Sequence, residues 1–206
     1  MNRGTRRALQ RTLVALLFAT GALASDLRAQ AAAPTVAPPA GVRTLYLVRH
    51  GAYDIDDPRD EAVGRGLLPI GVAQARLAGD RLRGLPFSFD AILASPLTRA
   101  RETAQVIAAE LGDRGVVFDP DLAECTPPTR RADIMAREKP EDLATCSAQL
   151  ERLAPRLFAA LPAGSGDRHE LVVAHGNVIR WLVTRALGVD STAWLSMSIG
   201  HASITI

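Results

Sequence analysis

Apolar positions along this chain come in two rhythms. Four short runs are continuously apolar or β-branched: residues 44–48 (Thr-Leu-Tyr-Leu-Val), 91–94 (Ala-Ile-Leu-Ala), 116–118 (Val-Val-Phe) and 171–174 (Leu-Val-Val-Ala). Runs of this length without alternation are what strands buried on both faces of a parallel sheet look like. Between them, apolar residues return every three or four positions, the spacing of one helix face. Pro69 opens such a helix, running to about Arg83, with Ile70, Ala73, Leu77 and Leu82 as its stripe and Gly84 as its stop. Ser95 and Pro96 read as the cap and first position of a second, closed by Gly112, with Ala100, Ala104, Ile107 and Leu111 facing the core. A third is expected from about Glu141 to Leu161, carrying Leu143, Leu150, Leu153 and Leu157 and kinked or split by Pro155. A fourth is capped by Asn177 and ended by Gly188, and an alternating strand from Ala202 to Ile206 follows. Strands and helices taken in turn predict an α/β fold, a three-layer α/β/α sandwich around a mostly parallel sheet.

The first residues follow neither rhythm. Arg3, Arg6, Arg7 and Arg11 make a basic start, Leu13 to Ala24 is an apolar run, and Ala29-Gln30-Ala31 fits an Ala-x-Ala cleavage site. Residues 1–31 are therefore expected to be a secretory signal peptide, which implies a periplasmic or secreted protein whose only membrane contact is through an uncleaved leader. Residues 32–42 read as a flexible linker and 43–206 as one domain, large enough for a full core. Removing residues 1–31 takes away five arginines and Asp26, which turns the formal charge of +2 into −2. Nucleic-acid binding then has no electrostatic support. Two cysteines, Cys125 and Cys146, would be able to bridge in an oxidising compartment, the alternative being two separate buried thiols.

Candidate chemistry gathers where strands stop. The first run ends in Arg49-His50-Gly51, the fourth in His175-Gly176, and Arg99 lies in the first turn after Ser95. Carboxyl ends of strands form the crevice in open α/β sheets, so these side chains are expected to converge. Two guanidinium forks suit the oxygens of a phosphoryl group and offset its charge without a metal. A neutral imidazole attacks phosphorus if its second nitrogen donates to a backbone carbonyl, which fixes the reactive tautomer. His50 is the candidate nucleophile and His175 a donor to the transition state beside Arg49 and Arg99. Glu124, in the loop after the third strand, is the candidate acid for the leaving oxygen and the base that later activates water.

These residues resemble the histidine phosphatase, or phosphoglycerate-mutase-like, superfamily. The resemblance rests on Leu-Val-Arg-His-Gly at 47–51, Ser-Pro-Leu-Thr-Arg-Ala-Arg-Glu-Thr-Ala at 95–104, Glu124, and Val-Ala-His-Gly-Asn-Val-Ile-Arg at 173–180, and it spans residues 43–206. It implies a phosphohistidine at His50, substrate binding by Arg49, Arg99, Gly51 and Asn177, catalysis by His50, Glu124 and His175, and no cofactor or metal. Tyr53 and the tail from Asn177 through Trp194 to Thr205 are most similar to the branch holding the mitochondrial serine/threonine protein phosphatase. The implied substrate is a phosphorylated small molecule or phosphoprotein. Mutase-type phosphotransfer and a non-catalytic phosphate-binding module are the alternatives. The first is disfavoured by the short chain and by Ala-Tyr-Asp after Gly51, the second by the intact set of five site residues. Asp54, Asp56, Asp57, Asp60 and Glu61 should give the pocket an acidic rim that disfavours multiply phosphorylated substrates. His169 is read as a solvated turn residue, and His201 as part of the segment before the last strand, which often lines the pocket floor in that superfamily. Trp181 and Trp194 are read as packing residues.

Overall fold

The four apolar runs become neighbouring parallel strands in the computed structural model, which describes residues 39–206. They are β1 (Arg43–Arg49), β2 (Ala91–Ala94), β3 (Val117–Phe118) and β4 (Arg168–Ala174), and a short β5 (Ile204–Thr205) pairs antiparallel with β1. The sheet order is β3-β2-β4-β1-β5. β4 is thus the central strand, flanked by β1 from Arg43↔Arg168 to Arg49↔Ala174 and by β2 from Ala91↔Glu170 to Ala94↔Val173.

Alternation along the strands splits the core into two. Tyr46 and Val48 of β1 and Leu171 and Val173 of β4 face helices α1 (Pro69–Arg83) and α2 (Thr98–Glu110), where Ala75, Leu82, Ala100, Ala104 and Ile107 are buried. Leu47, Val172 and Ala174 face the other way, against α4 (Pro140–Leu157) and α5 (Gly176–Ala186), with Leu150, Leu153, Ile179, Leu182, Trp181 and Trp194. Successive strand residues point to opposite faces, so one strand supplies both cores, and the three-layer α/β/α sandwich follows. A four-residue helix, α3 (Ala132–Met135), lies in the connection from β3 to β4, ahead of α4, and carries no periodicity to announce it.

Several elements differ from their sequence reading, each for a packing reason. α1 has the expected bounds but buries Gly71, Ala75, Ala78, Gly79 and Leu82, while Ile70 and Leu77 stay largely exposed. Small residues win the face because α1 packs closely: a methyl group on Gly79 would lie 2.8 Å from the Glu110 side chain of α2. α2 begins at Thr98, with Ser95 Oγ held between the Leu97 N–H and His175 Nε2 outside the helix, and ends as expected before Gly112, whose φ of 89° suits a left-handed helix stop. Pro155 falls in the last turn of α4, so the helix ends shortly after it instead of splitting. His169 is not a turn residue. It is in β4, with its ring stacked on Phe87 at 3.5 Å between centroids.

Cys125 and Cys146 are joined in a disulfide that ties the loop after β3 to α4 across 21 residues of chain. In the chain-entropy account a loop of this length stabilises by about 3 kcal/mol. Reduction should therefore lower the thermal midpoint by roughly 6–12 °C for a domain of this size, read by circular dichroism with and without a dithiol. An unchanged midpoint would show that the bridge constrains little.

Candidate active site

Level strand ends build the site. Since Arg49 pairs with Ala174, the next residues, His50 and His175, leave the sheet side by side, with ring centroids 5.1 Å apart. Both are buried, 2% and 0% exposed, and so is Arg99 from the first turn of α2 at 2%. Glu124 reaches over from the loop after β3, its Oε2 3.6 Å from His175 Nδ1. The structure therefore brings Arg49, His50, Arg99, Glu124 and His175 to one place.

The tautomer of His50 is set by the main chain. Its Nδ1–H donates to the Gly51 carbonyl at 2.8 Å, which leaves the Nε2 lone pair facing the pocket. Burial pushes its pKa down to about 3, helped by Arg99, Arg49 and His201 and opposed by the Gly51 hydrogen bond. The ring is thus neutral at any physiological pH. Burial, Arg99, His50 and Arg49 hold His175 well below the usual imidazole range too. Its Nε2 is 2.8 Å from the Ser95 hydroxyl at the end of β2, and its buried Nδ1 has no hydrogen-bond partner among the described residues.

Around these neutral rings lie cations with spare donors. Arg49 Nη1 donates to the Ile199 carbonyl at 2.6 Å, while its Nε is buried without a partner among the described residues. Arg99 Nε contacts His50 Nε2 at 3.3 Å, and its guanidinium lies 4.9 Å from the centre of the Tyr53 ring. Burial pushes Glu124 up to about 7 against the pull of Arg99, the Asn177 amide and Arg49. Its Oε1 accepts the Asn177 N–H at 3.2 Å, a carboxylate at the N-terminus of α5.

Two residues expected at the substrate make bonds within the site. Gly51 uses both of its main-chain groups. Its N–H donates to Thr103 Oγ1 at 3.0 Å, and its carbonyl holds His50. Asn177 is not the cap residue but the second residue of α5. Its backbone N–H holds Glu124, its Nδ2 donates to the Cys125 carbonyl at 3.3 Å, and its Oδ1 accepts from Arg180.

Other residues were not legible as site residues. The ring of His201 lies 5.4 Å from that of His50. Ser95 read as a helix cap but orients His175. Glu61, one acid among many in the rim loop, is the one that reaches the cations, with Oε2 3.1 Å from Arg99 Nη1. The strand-end position of Ser95, the rim loop of Glu61 and the segment around His201 each carried a signal in sequence, but none showed which neighbour the side chain meets.

His50, Glu124 and His175 present ligand atoms within 4.8 Å of one another, a set that would suit a divalent cation by donor type. Arg49 and Arg99 decide against that reading. The buried guanidinium of Arg99 and the half-buried one of Arg49 repel a cation beside the cluster and attract an anion, and Arg99 Nε already faces the His50 lone pair.

A buried neutral histidine whose lone pair is turned to the pocket and met by an arginine, with a second arginine, a second histidine and a raised carboxyl beside it on an α/β/α sandwich, defines a phosphoryl-handling class of site. The chain belongs to the histidine phosphatase superfamily (branch 1), which matches residues 45–206. It is similar to the mitochondrial serine/threonine-protein phosphatase Pgam5 of Drosophila grimshawi, with 38% identity over 173 residues, 81% of this chain and 58% of that protein. The Xenopus laevis protein of the same name is 34% identical over 169 residues, 81% of this chain and 60% of that one. The chain spans about three fifths of the length of these relatives. Among solved structures, phosphoglycerate mutase from Plasmodium falciparum superposes with a TM-score of 0.54 at 26% identity, covering 80% of this chain and 81% of that one.

The relatives' names overturn the expectation of a periplasmic or secreted protein, since they are mitochondrial. The leader behind that expectation lies in residues 1–38, outside the described residues. Four arginines with no acid before Asp26 are a composition that mitochondrial transit peptides share with the basic start of a secretory leader, so the pattern alone does not choose the address.

The floor of the site depends on one close approach. A methyl group on Gly71 of α1 would lie 1.9 Å from the Ala52 carbonyl, and one on Gly51 would lie 2.5 Å from the Gly71 carbonyl. Gly71→Ala should push α1 off the chain that carries His50, destabilising the fold by roughly 1–3 kcal/mol. Turnover should fall with it. Urea unfolding and kcat measured on the same sample test both, and wild-type values for each would show that the contact is not tight.

Proposed function

We propose that this protein is a phosphatase that hydrolyses phosphate monoesters, without a metal, through a phosphohistidine at His50. The observation that carries the reading is the Nδ1–H bond from His50 to the Gly51 carbonyl, which aims the Nε2 lone pair at the space shared with Arg49, Arg99 and His175. His50 Nε2 attacks phosphorus, and the bond to the ester oxygen breaks as the N–P bond forms. Arg49 and Arg99 offset the charge on the equatorial oxygens, and His175 Nδ1–H donates to one of them. For that donation the Ser95 hydroxyl must donate to His175 Nε2, a direction the 2.8 Å contact permits.

Glu124 gives its proton to the leaving oxygen, then takes one from the water that cleaves the phosphohistidine, which returns His50 and releases phosphate. A carboxyl near pH 7 suits both steps, because it is protonated often enough to act as acid and ionised often enough to act as base. Arg99 must leave the His50 lone pair when phosphate enters. Glu61, now paired with Arg99, must yield to the phosphate oxygens.

The substrate is read as a phosphorylated side chain of a protein, or a small monoester. The names of the similar proteins, serine/threonine-protein phosphatases, support the former. An acidic neighbour such as Glu61 at the cradle disfavours a second phosphate nearby.

p-Nitrophenyl phosphate hydrolysis in EDTA should be undiminished and His50→Ala inactive. Phosphate that accumulates on His50 without release would sink the hydrolase reading in favour of transfer. Since Glu124 must start protonated, kcat/KM for phenyl phosphate should fall tenfold per pH unit above about 7. Glu124→Gln should remove that alkaline limb and cost roughly 10²-fold. A limb that survives the substitution assigns the acid to another group.

A further inference from the structure

The loop bearing Glu124 has no regular structure beyond a single 3-10 turn at Pro120–Leu122, yet it is anchored on both sides of the carboxyl. Upstream, one face of α4 holds it. Gln149 Nε2 donates to the carbonyls of Asp121 at 3.1 Å and Ala123 at 2.7 Å, and Arg152 and Arg156 pair with Asp121. Downstream, the residue next to Glu124 is Cys125, bonded to Cys146 one turn earlier on the same face of α4. Cys146 is 1% exposed and set in the core with Leu150 and Leu153, so the anchor point is rigid. The other restraint on Cys125 is the 3.3 Å hydrogen bond from Asn177 to its carbonyl, and the next beyond it are the bonds from Trp194 Nε1 to Pro127 and Pro128.

We infer that the Cys125–Cys146 disulfide is a positioning device for the proton donor, so that leaving-group protonation is efficient only in the oxidised protein. The inference rests on the reading of Glu124 as the general acid. A donor works only within hydrogen-bond reach, and a shift of 1 Å costs up to about 10²-fold. A dithiol reductant breaks the Sγ–Sγ bond, each sulfur takes up one proton and becomes a thiol, and the dithiol is oxidised to its own disulfide. Glu124 then keeps its upstream anchors and the hydrogen bonds from Asn177 to its carboxyl and to the Cys125 carbonyl, and loses the covalent tie to α4. Arg49, His50 and Arg99 are held by β1, α2 and the Gly51 and Ile199 carbonyls, none of which involves this loop. Nucleophile and phosphate cradle therefore survive reduction while the acid is loosened.

Two esters of nearly the same shape separate these effects. p-Nitrophenolate leaves without help, whereas phenol, with a pKa of about 10 like the tyrosine side chain, needs a proton. The full chain is assayed oxidised and after dithiothreitol, well below the unfolding temperature of the reduced form, and kcat/KM is compared because it reports the steps through His50 phosphorylation. Reduction should lower the value for phenyl phosphate by ~10-fold or more and that for p-nitrophenyl phosphate by no more than ~2-fold. Reoxidation should restore both. Cys146→Ala should match the reduced protein and ignore dithiothreitol, and if it fails to fold, the reversible reduction of the wild type decides by itself. Equal losses on the two esters, or none, overturn the inference. Glu124→Gln in the oxidised protein checks the reading beneath it: a loss confined to phenyl phosphate upholds Glu124 as the acid. Equal losses there discard the acid assignment, and the inference with it, whatever reduction does.

Discussion

The register of β1 against β4 is the constraint on which the site depends. Pairing Arg49 with Ala174 delivers His50 and His175 to the same height at the carboxyl edge of the sheet. A slip of one residue would turn every side chain of the moved strand to the opposite face and bury apolar groups against the wrong helices. Both cores resist it, because Tyr46 and Val48 already fill one and Leu47 the other. The stability of the sandwich and the spacing of the two rings are thus the same fact.

Burial then does chemical work. Taking two imidazoles out of water makes them neutral, and the main-chain carbonyl of Gly51 chooses which nitrogen of His50 keeps its lone pair. The same desolvation keeps a proton on Glu124 to higher pH than an exposed carboxyl would. A buried and a half-buried guanidinium, each with an uncommitted donor atom, make the pocket attractive to an anion and unattractive to a cation. Nucleophile, acid and cradle are tuned by one cause, the exclusion of solvent at a strand edge roofed by loops.

The parts of the site differ in how they are held. His50 and His175 stand on strands, Arg99 on the first turn of a helix, and each is fixed by a neighbour in the fold: Gly51, Ser95 and Tyr53. Glu124 sits on a loop and relies on Gln149, Asn177 and the Cys125–Cys146 bridge. Glu61 lies on the rim, where it competes with a phosphate for Arg99. The nucleophile is thus supported by the whole sheet and the acid by local ties, which makes the acid the adjustable member.

Much of this was legible in the chain itself. Continuous apolar runs marked the strands, Pro69 marked the start of α1, Gly112 and Gly188 the stops of α2 and α5, and Arg49, His50, Arg99, Glu124 and His175 stood out because charged and titratable groups follow strand ends. These are local signals, set by propensity and by the alternation of buried and exposed positions. What depended on distance between segments was not legible. The small-residue face of α1, the turn from Ser95 as cap to Ser95 as partner of His175, the bonds of Gly51 to Thr103 and of Asn177 to Glu124, the approach of the His201 ring to His50, and the selection of Glu61 from the acidic rim as the partner of Arg99 each require contacts between residues tens of positions apart. Patterns along a chain report which face a residue prefers. Only packing in three dimensions decides which neighbour it meets there.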